Sequence, residues 1–446
     1  MYNLQKKDFG DDFIWGVSSS AYQIEGAHNA DGKGPSIWDE FTNKGLAANK
    51  ETGNDACEFY FRYEEDIRMM AAMGIPNFRF SISWSRIFPE GIGRINQKGL
   101  DFYHRVIDTC LQYKIEPWIT LYHWDLPLEL QKKGGWANRE IIHWFSEYAS
   151  LMMKTFGDKV KKWMVLNEPL VYTGAGYFMG AHAPGFRNLS HFLKAIHHTA
   201  LVQGITPENL RSYHKDLEIG TTFSCSHLVP FSSLSKHERA TERVDFILNH
   251  LLIDPLSGDG YPMQKFKPLE KIYDFMKADD EKLMKADYDF IGVQNYTREV
   301  IKHTWYIPFL KAKIIPASKR KVHHTLMNWE VYPESIYYVL KKFDKMPSVK
   351  KIIITENGAA FKDEVNAHGE VKDMAREYFF REYLNQVLRA KNEGVNVKGY
   401  FIWSFTDNFE WAEGFRPRFG IVHVDFKSQK RTIKDSGKWY SKFLSE

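Results

Sequence analysis

The chain has 446 residues, with 60 Lys and Arg against 56 Asp and Glu, a formal net charge of +4. Hydrophobic residues make up 43% and charged residues 26%, which excludes a disordered chain, a collagen and a coiled coil. The near-neutral balance gives no electrostatic reason to bind nucleic acid or an anionic membrane. In chain order, Met1 to Asp8 lacks the apolar core of a secretory signal. Eight short apolar runs follow: Phe13 to Val17, Phe78 to Ser83, Pro117 to Tyr122, Trp163 to Leu166, Ile219 to Phe223, Phe290 to Val293, Ile352 to Thr355 and Tyr400 to Ser404. Several are apolar throughout, as in parallel strands buried on both faces. Between them lie helical spacings. Tyr60, Tyr63, Ile67 and Met70 recur at 3, 4 and 3 residues, with Gly74 as a stop. Ile142, Phe145, Ala149, Met152 and Phe156 do the same, with Asn138 as the expected cap and Gly157 as the end.

Strands alternating with helices predict an α/β fold, a single (β/α)8 TIM barrel over residues 1–446. The chain exceeds the roughly 250 residues of a minimal barrel, so long βα loops at the C-terminal face must hold the excess. The candidates are 18–57, 170–190 and 297–330. Cys57, Cys110 and Cys225 are odd in number and far apart. They predict no disulfide framework and, with the missing leader, a cytoplasmic protein. No apolar run approaches the roughly 20 residues of a membrane helix. Asn188-Leu189-Ser190 fits the glycosylation pattern, which has no consequence in the cytoplasm.

Catalytic groups of such barrels sit at the C-terminal strand ends. The seventh run ends in Glu356-Asn357-Gly358 and the fourth in Asn167-Glu168-Pro169. The third ends in His123-Trp124, the sixth in Gln294-Asn295-Tyr296, and the eighth leads into Asp407-Asn408-Phe409-Glu410-Trp411. The first runs into Gln23, and the second holds Arg79 between Phe78 and Phe80. Two carboxylates at strand mouths amid Trp, His, Asn and Gln suit cleavage of an acetal. That reaction needs a proton for the leaving oxygen and a nucleophile or charge for the oxocarbenium-like centre. Pairing with Arg79 and a bond from Tyr296 would keep Glu356 ionised, while burial and the Glu356 charge would raise Glu168. Aromatic residues account for 15% of the chain, and their flat faces suit the C–H surfaces of sugar rings.

These stretches resemble glycoside hydrolase family one, of the β-glucosidase type, over nearly the whole chain. The matching segments are Phe13-Ile14-Trp15-Gly16, Phe78 to Ile87, Asn167-Glu168-Pro169, Thr355-Glu356-Asn357-Gly358 and Asp407 to Trp411. The resemblance implies a retaining β-glycosidase with no cofactor, acting on β-glucosides and short cello-oligosaccharides. Glu168 is implied as acid/base and Glu356 as nucleophile, with Asn167 on the sugar 2-hydroxyl. Gln23, His123, Trp124, Glu410 and Trp411 are implied for the other hydroxyls. Trp403 is implied as stacking platform and Trp329 as the aglycone-side wall, with Tyr296, Arg79 and Gln294 around the nucleophile.

The chain also departs from the family pattern. Gln294 stands where the family usually has Asn, which puts that contact in question. Ser224 stands where Asn is frequent, so a polar contact to Tyr296 is expected to be lost. Relatives that bind 6-phosphosugars resemble each other in a Ser, a Lys and a Tyr in the region of Glu410, Pro417 and Phe419. An acid there would repel phosphate and favours an unphosphorylated sugar. The plant thioglucosidases replace the acid by Gln, unlike Glu168.

Other readings are open to the same residues. The two carboxylates could be structural, and Trp403, Trp411 and Trp329 could be packing. Glu25, Asp407 and Asn408 read as braces. The five basic residues in 311–321 read as a solvated loop face. His182, His197 and His198 show no ligand spacing, so no metal is expected. On the same barrel, the alternatives are a broad β-glucosidase/β-galactosidase/β-fucosidase, a transglycosylase, a non-catalytic sugar-binding protein, or a metal-dependent hydrolase that a chelator would stop. The small-molecule partner expected is a carbohydrate, and the sequence leaves the oligomeric state open.

Overall fold

The computed structural model describes residues 4–261, 263, 267–307 and 310–446. Eight parallel strands close into a barrel: β1 Ile14–Ser18, β2 Asn77–Ser81, β3 Glu116–Tyr122, β4 Lys162–Asn167, β5 Glu218–Ser224, β6 Phe290–Gln294, β7 Ile352–Asn357 and β8 Val397–Trp403. Each strand neighbours the next in sequence, and β1 closes on β8. All eight expected apolar runs are strands, with ends shifted by at most a few residues. A principal helix follows each one: α1 Phe59–Ala72, α2 Gln97–Gln112, α3 Ile141–Phe156, α4 Leu189–Arg211, α5 Ser235–Asp245, α6 Glu334–Phe343, α7 Met374–Asn392 and α8 Asp435–Ser445. Among the described residues no helix is long and apolar enough to cross a membrane. Cys57, Cys110 and Cys225 are buried free thiols.

Two apolar layers hold the fold. The larger lies between the strands and the surrounding helices. The smaller fills the barrel itself: Trp118, Met164, Phe290, Ile353 and Phe401 are all buried and packed together, with Ile14 against them. The Phe401 ring needs room, and Gly16 supplies it, since a Cβ there would lie 2.4 Å from a ring carbon. Arg79 lies on this layer, its Nε 3.2 Å from the Met164 sulfur. Its guanidinium therefore points along the axis toward the C-terminal mouth, where a charge can find partners.

The long loops carry structure of their own. The first contains Ala21–Ile24 and Ile37–Asn43, both short helices. The second contains the helix Pro169–Thr173 and a π-helical turn, Gly174–Met179. The third, expected as a loop over 297–330, carries strands. Arg298–His303 and Ala312–Ile314 are strands, and with His227–Pro230 they form a small sheet outside the barrel. Its strands mix Arg298, Glu299 and Lys302 with apolar residues, and Arg298–His303 finds its parallel partner about 70 residues earlier, so no local pattern announces the sheet. Asn138 does not cap α3. Its side chain accepts from the Glu140 N–H at 3.0 Å, two residues too early, and Glu140 takes the cap position. Asn188, within the glycosylation-like triplet, caps α4 through the His191 N–H at 3.0 Å.

Candidate active site

The barrel mouth opens into a cavity of about 230 Å³. Both candidate carboxyls line it, and both are buried. Register irregularities occur where each strand ends, between Met164 and Asn167 on β4 and between Ile354 and Asn357 on β7. Such bulges re-aim the side chains that follow them. Glu168 takes a left-handed backbone, φ 44°, its N–H donating to the Thr222 carbonyl at 2.9 Å. Pro169 then starts the short helix at the position where a missing N–H costs nothing. Behind Glu356, Gly358 permits close packing of β7 on β8, because a Cβ there would lie 1.8 Å from the Trp403 carbonyl oxygen.

Arg79 joins the two strand ends. Its guanidinium pairs with Glu356 Oε1 and donates to Asn167 Oδ1 at 2.5 Å. The Tyr296 hydroxyl donates to Glu356 Oε2 at 2.6 Å. Asn167 Oδ1 also accepts from Gln294 Nε2 at 2.7 Å and from Thr222 Oγ1 at 3.0 Å. With the oxygen so placed, the Asn167 amide nitrogen must face His123 Nε2, 2.9 Å away. Nε2 then accepts, and the imidazole proton resides on Nδ1, which is buried with no partner among the described residues. Burial, reinforced by Arg79, holds His123 well below the usual imidazole range, so it is neutral.

The electrostatics separate the two carboxyls. Burial and then the Glu356 charge push Glu168 well above the ordinary range, against a hydrogen bond from Ser224 and the Arg79 charge. Burial also raises Glu356, but there Arg79 and the Tyr296 hydroxyl act directly on the carboxylate. Glu356 is therefore the more acidic of the pair. Glu410 is raised to about 8, by burial first and by Glu356 second. An unfolded chain ionises this group from 4.5 upward, whereas the folded one keeps its proton to about 8. The residue thus costs stability progressively across that window. Glu410→Gln is expected to melt higher than the parent by a margin that grows from pH 4.5 to 8 and then levels. A margin independent of pH would mean that Glu410 is already ionised in the fold.

The other expected residues divide into two layers. His123, Trp124, Gln294, Tyr296, Trp329, Trp403, Glu410 and Trp411 line the cavity. Gln23, Asn167 and Arg79 stand behind that wall. Gln23 is fully buried, its Nε2 donating to Asn408 Oδ1 at 3.1 Å, the Phe409 carbonyl at 2.9 Å and Glu410 Oε2 at 3.2 Å. The aromatic residues form a continuous wall. Trp124 and Trp411 have ring centroids 4.6 Å apart, and the His123 ring stacks near both Trp403 and Trp411 at 5.9 Å. Trp124 Nε1 donates to the Asn167 carbonyl at 2.9 Å. Trp329 packs against Tyr296 at 5.1 Å and Phe419 at 6.1 Å. Asp407 braces the eighth loop, accepting from Lys434 at 2.6 Å, Arg418 at 2.8 Å and the Gly420 N–H at 3.0 Å.

Two departures from the family pattern acquire a geometry. Gln294 anchors Asn167 through its longer amide. The Ser224 hydroxyl acts on Glu168, while the Tyr296 hydroxyl bonds Glu356. Sequence reasoning missed His182, Glu299 and Glu413, all lining the cavity. His182 is lowered to about 4 by burial and packs beside Trp124, ring centroids 5.6 Å apart. Burial raises Glu299 to about 7. Their one sequence signal was membership of, or closeness to, loops long enough to deepen the mouth. Among the described residues no group of three or more His, Cys, Asp or Glu is arranged to hold a metal ion.

Residues 5–446 match the family model Glycosyl hydrolase family 1. The chain is 44% identical over 446 residues to beta-glucosidase A of Acetivibrio thermocellus, covering 99% of each chain. It is 43% identical to beta-glucosidase A of Thermotoga maritima, covering 98% of each. The solved structure of the family 1 b-glucosidase from Thermotoga maritima superimposes with a TM-score of 0.94 at 42% identity, over 98% of each chain. Matches of this extent, on a barrel whose mouth gathers the two carboxyls with Arg79 and Tyr296, leave one assignment: the chain belongs to glycosyl hydrolase family 1.

Proposed function

We propose that this one-domain chain is a retaining β-glucosidase that releases the terminal non-reducing glucosyl residue from β-glucosides and short cello-oligosaccharides. The observation that carries the reading is the unequal treatment of two buried carboxyls, Glu356 held by Arg79 and Tyr296 and Glu168 with no ion-pair partner among the described residues. At one pH, Glu168 then holds a proton while Glu356 does not.

The carboxylate of Glu356 attacks the anomeric carbon as Glu168 transfers its proton to the glycosidic oxygen. The bond to the leaving alcohol breaks and a glycosyl ester on Glu356 forms. Esterification removes the Glu356 charge, which had raised Glu168. The acidity of Glu168 therefore increases, and as a carboxylate it takes a proton from water. The water oxygen attacks the anomeric carbon from the side the alcohol left, and Glu356 departs, so configuration is retained. The unpartnered Nδ1–H of His123, the Glu410 carboxyl and the Trp403 face supply the donor, acceptor and apolar surface that a glucosyl ring needs. Glu410, protonated up to about 8, offers a phosphate on the sugar no cation to pair with, and above that pH repels it. Free buried thiols support a reducing, cytoplasmic setting.

The test is hydrolysis of p-nitrophenyl β-glucoside, β-galactoside, β-fucoside and 6-phospho-β-glucoside. The glucoside is expected to lead in kcat/KM. A lead by the phosphorylated sugar overturns the role given to Glu410, and equal rates on the first three favour a broad glycosidase. Product analysis with added sugar acceptor measures transglycosylation.

A further inference from the structure

We infer that a second, apolar chamber beside Glu168 takes the alkyl tail of a β-glucoside, making long-chain alkyl β-glucosides better substrates than short ones. This rests on the assignment of Glu168 as the acid. The chamber has a volume of about 350 Å³ and is lined by Val171, Gly174, Phe178, Phe192, Ile247 and Leu248 among other apolar residues. Among the described residues its polar lining is Ser224 and Ser226, and these two, with Val171, also line the catalytic cavity. The two spaces therefore meet at a shared wall. That wall lies next to the acid, since the Val171 N–H donates to the Glu168 carbonyl at 2.8 Å. The group that departs with the proton from Glu168 leaves on this side.

The lining selects the occupant. A second glucose ring has polar groups and Trp329 in the catalytic cavity, but pushed on into the chamber it would strip water from several hydroxyls and find few partners, which is unfavourable. An alkyl chain gives up no hydrogen bonds to water and gains burial. The volume lies within the roughly 300–1,000 Å³ of small-molecule sites. The chamber is built by the π-helical turn Gly174–Met179, a wide turn of the kind found at functional sites. Across it, the Phe178 and Phe192 rings lie 5.3 Å apart. Gly174 gives a clean way to fill it. Its φ of −71° and ψ of −53° are helical, and a Cβ built there meets nothing within 4 Å. A side chain at that position enters open space without backbone strain.

The experiment measures kcat/KM for methyl, butyl, hexyl and octyl β-D-glucosides with the parent and Gly174→Phe, using p-nitrophenyl β-glucoside as reference and thermal melting as the folding control. It also measures Kd for ethyl and octyl β-thioglucosides, which does not depend on turnover. The parent is expected to gain about two- to fourfold in kcat/KM per added methylene until the chamber is full. Octyl thioglucoside should bind correspondingly tighter than ethyl. In Gly174→Phe both dependences flatten while the p-nitrophenyl reference is unchanged. A flat series in the parent, or a slope that persists in folded Gly174→Phe, overturns the inference. Should Gly174→Phe not fold, Leu248→Gln applies the same test by making the lining polar, and a persisting slope there overturns it too. Absence of all hydrolysis would overturn the glucosidase reading instead, and the thioglucoside Kd values would still decide the chamber.

Discussion

Glu356→Ala is expected to lose roughly 10⁵–10⁶-fold in kcat, the scale on which removing a catalytic nucleophile acts. The loss should come with little change in fold, because the Arg79 guanidinium retains Asn167 as a partner at 2.5 Å. The diagnostic result is the product made with azide. A small anion fits the space left by the carboxylate, next to Arg79, and attacks the anomeric carbon from the face opposite the leaving group. Glu168 still protonates the departing oxygen. An activated β-glucoside should therefore give the α-glucosyl azide, with inverted configuration, identified by NMR coupling at the anomeric proton. If Glu356→Ala hydrolyses p-nitrophenyl β-glucoside at near-parental rates, Glu356 is not the nucleophile.

Glu168→Ala is expected to behave in the opposite sense. Loss of a general acid costs about 10²–10⁴-fold, and the cost should fall on substrates that need protonation. Methyl and cellobiosyl leaving groups should suffer most, dinitrophenyl least. With the activated substrate, Glu356 still forms the ester, and water then lacks its base. Azide needs none, so it should restore turnover and give the β-glucosyl azide. The pair of variants thus predicts opposite anomers from one reagent, a contrast that no structural role for either carboxyl produces. The pH profile supplies a further check. In the parent, kcat/KM should fall at high pH as Glu168, raised by burial and by Glu356, gives up its proton. That alkaline limb should vanish in Glu168→Ala with a dinitrophenyl glucoside. An identical limb in the variant would assign it to another group, of which Glu410, near 8, is the first to examine.

Much of the arrangement is written locally. Strand β7 is an apolar run ended by Glu356, and β4 is one ended by Asn167 and Glu168, so the alternation of strands and helices alone carries both carboxyls to the same mouth. The small sheet after β6 was not legible, because its pairing partners come from two different loops. Asn138 misled for a related reason, since its Asx turn looks like a cap in sequence but closes before the helix begins.

What the sequence determined by itself is thus the barrel, the position of its catalytic face and the two acids at that face. These depend on hydrophobic periodicity and on the rule that parallel strands deliver their C-terminal ends together. The inequality of the two acids, expected from the residue types, is made by tertiary structure, because it rests on Arg79, 277 residues from Glu356 in the chain, reaching across the closed barrel. Tertiary structure also put Gln23 behind Glu410, brought His182 and Glu299 to the wall, and left an apolar chamber beside Glu168. Charge state and cavity shape are sums over neighbours contributed by many strands. Such sums exist only once the chain has closed and excluded water, and no local pattern contains them.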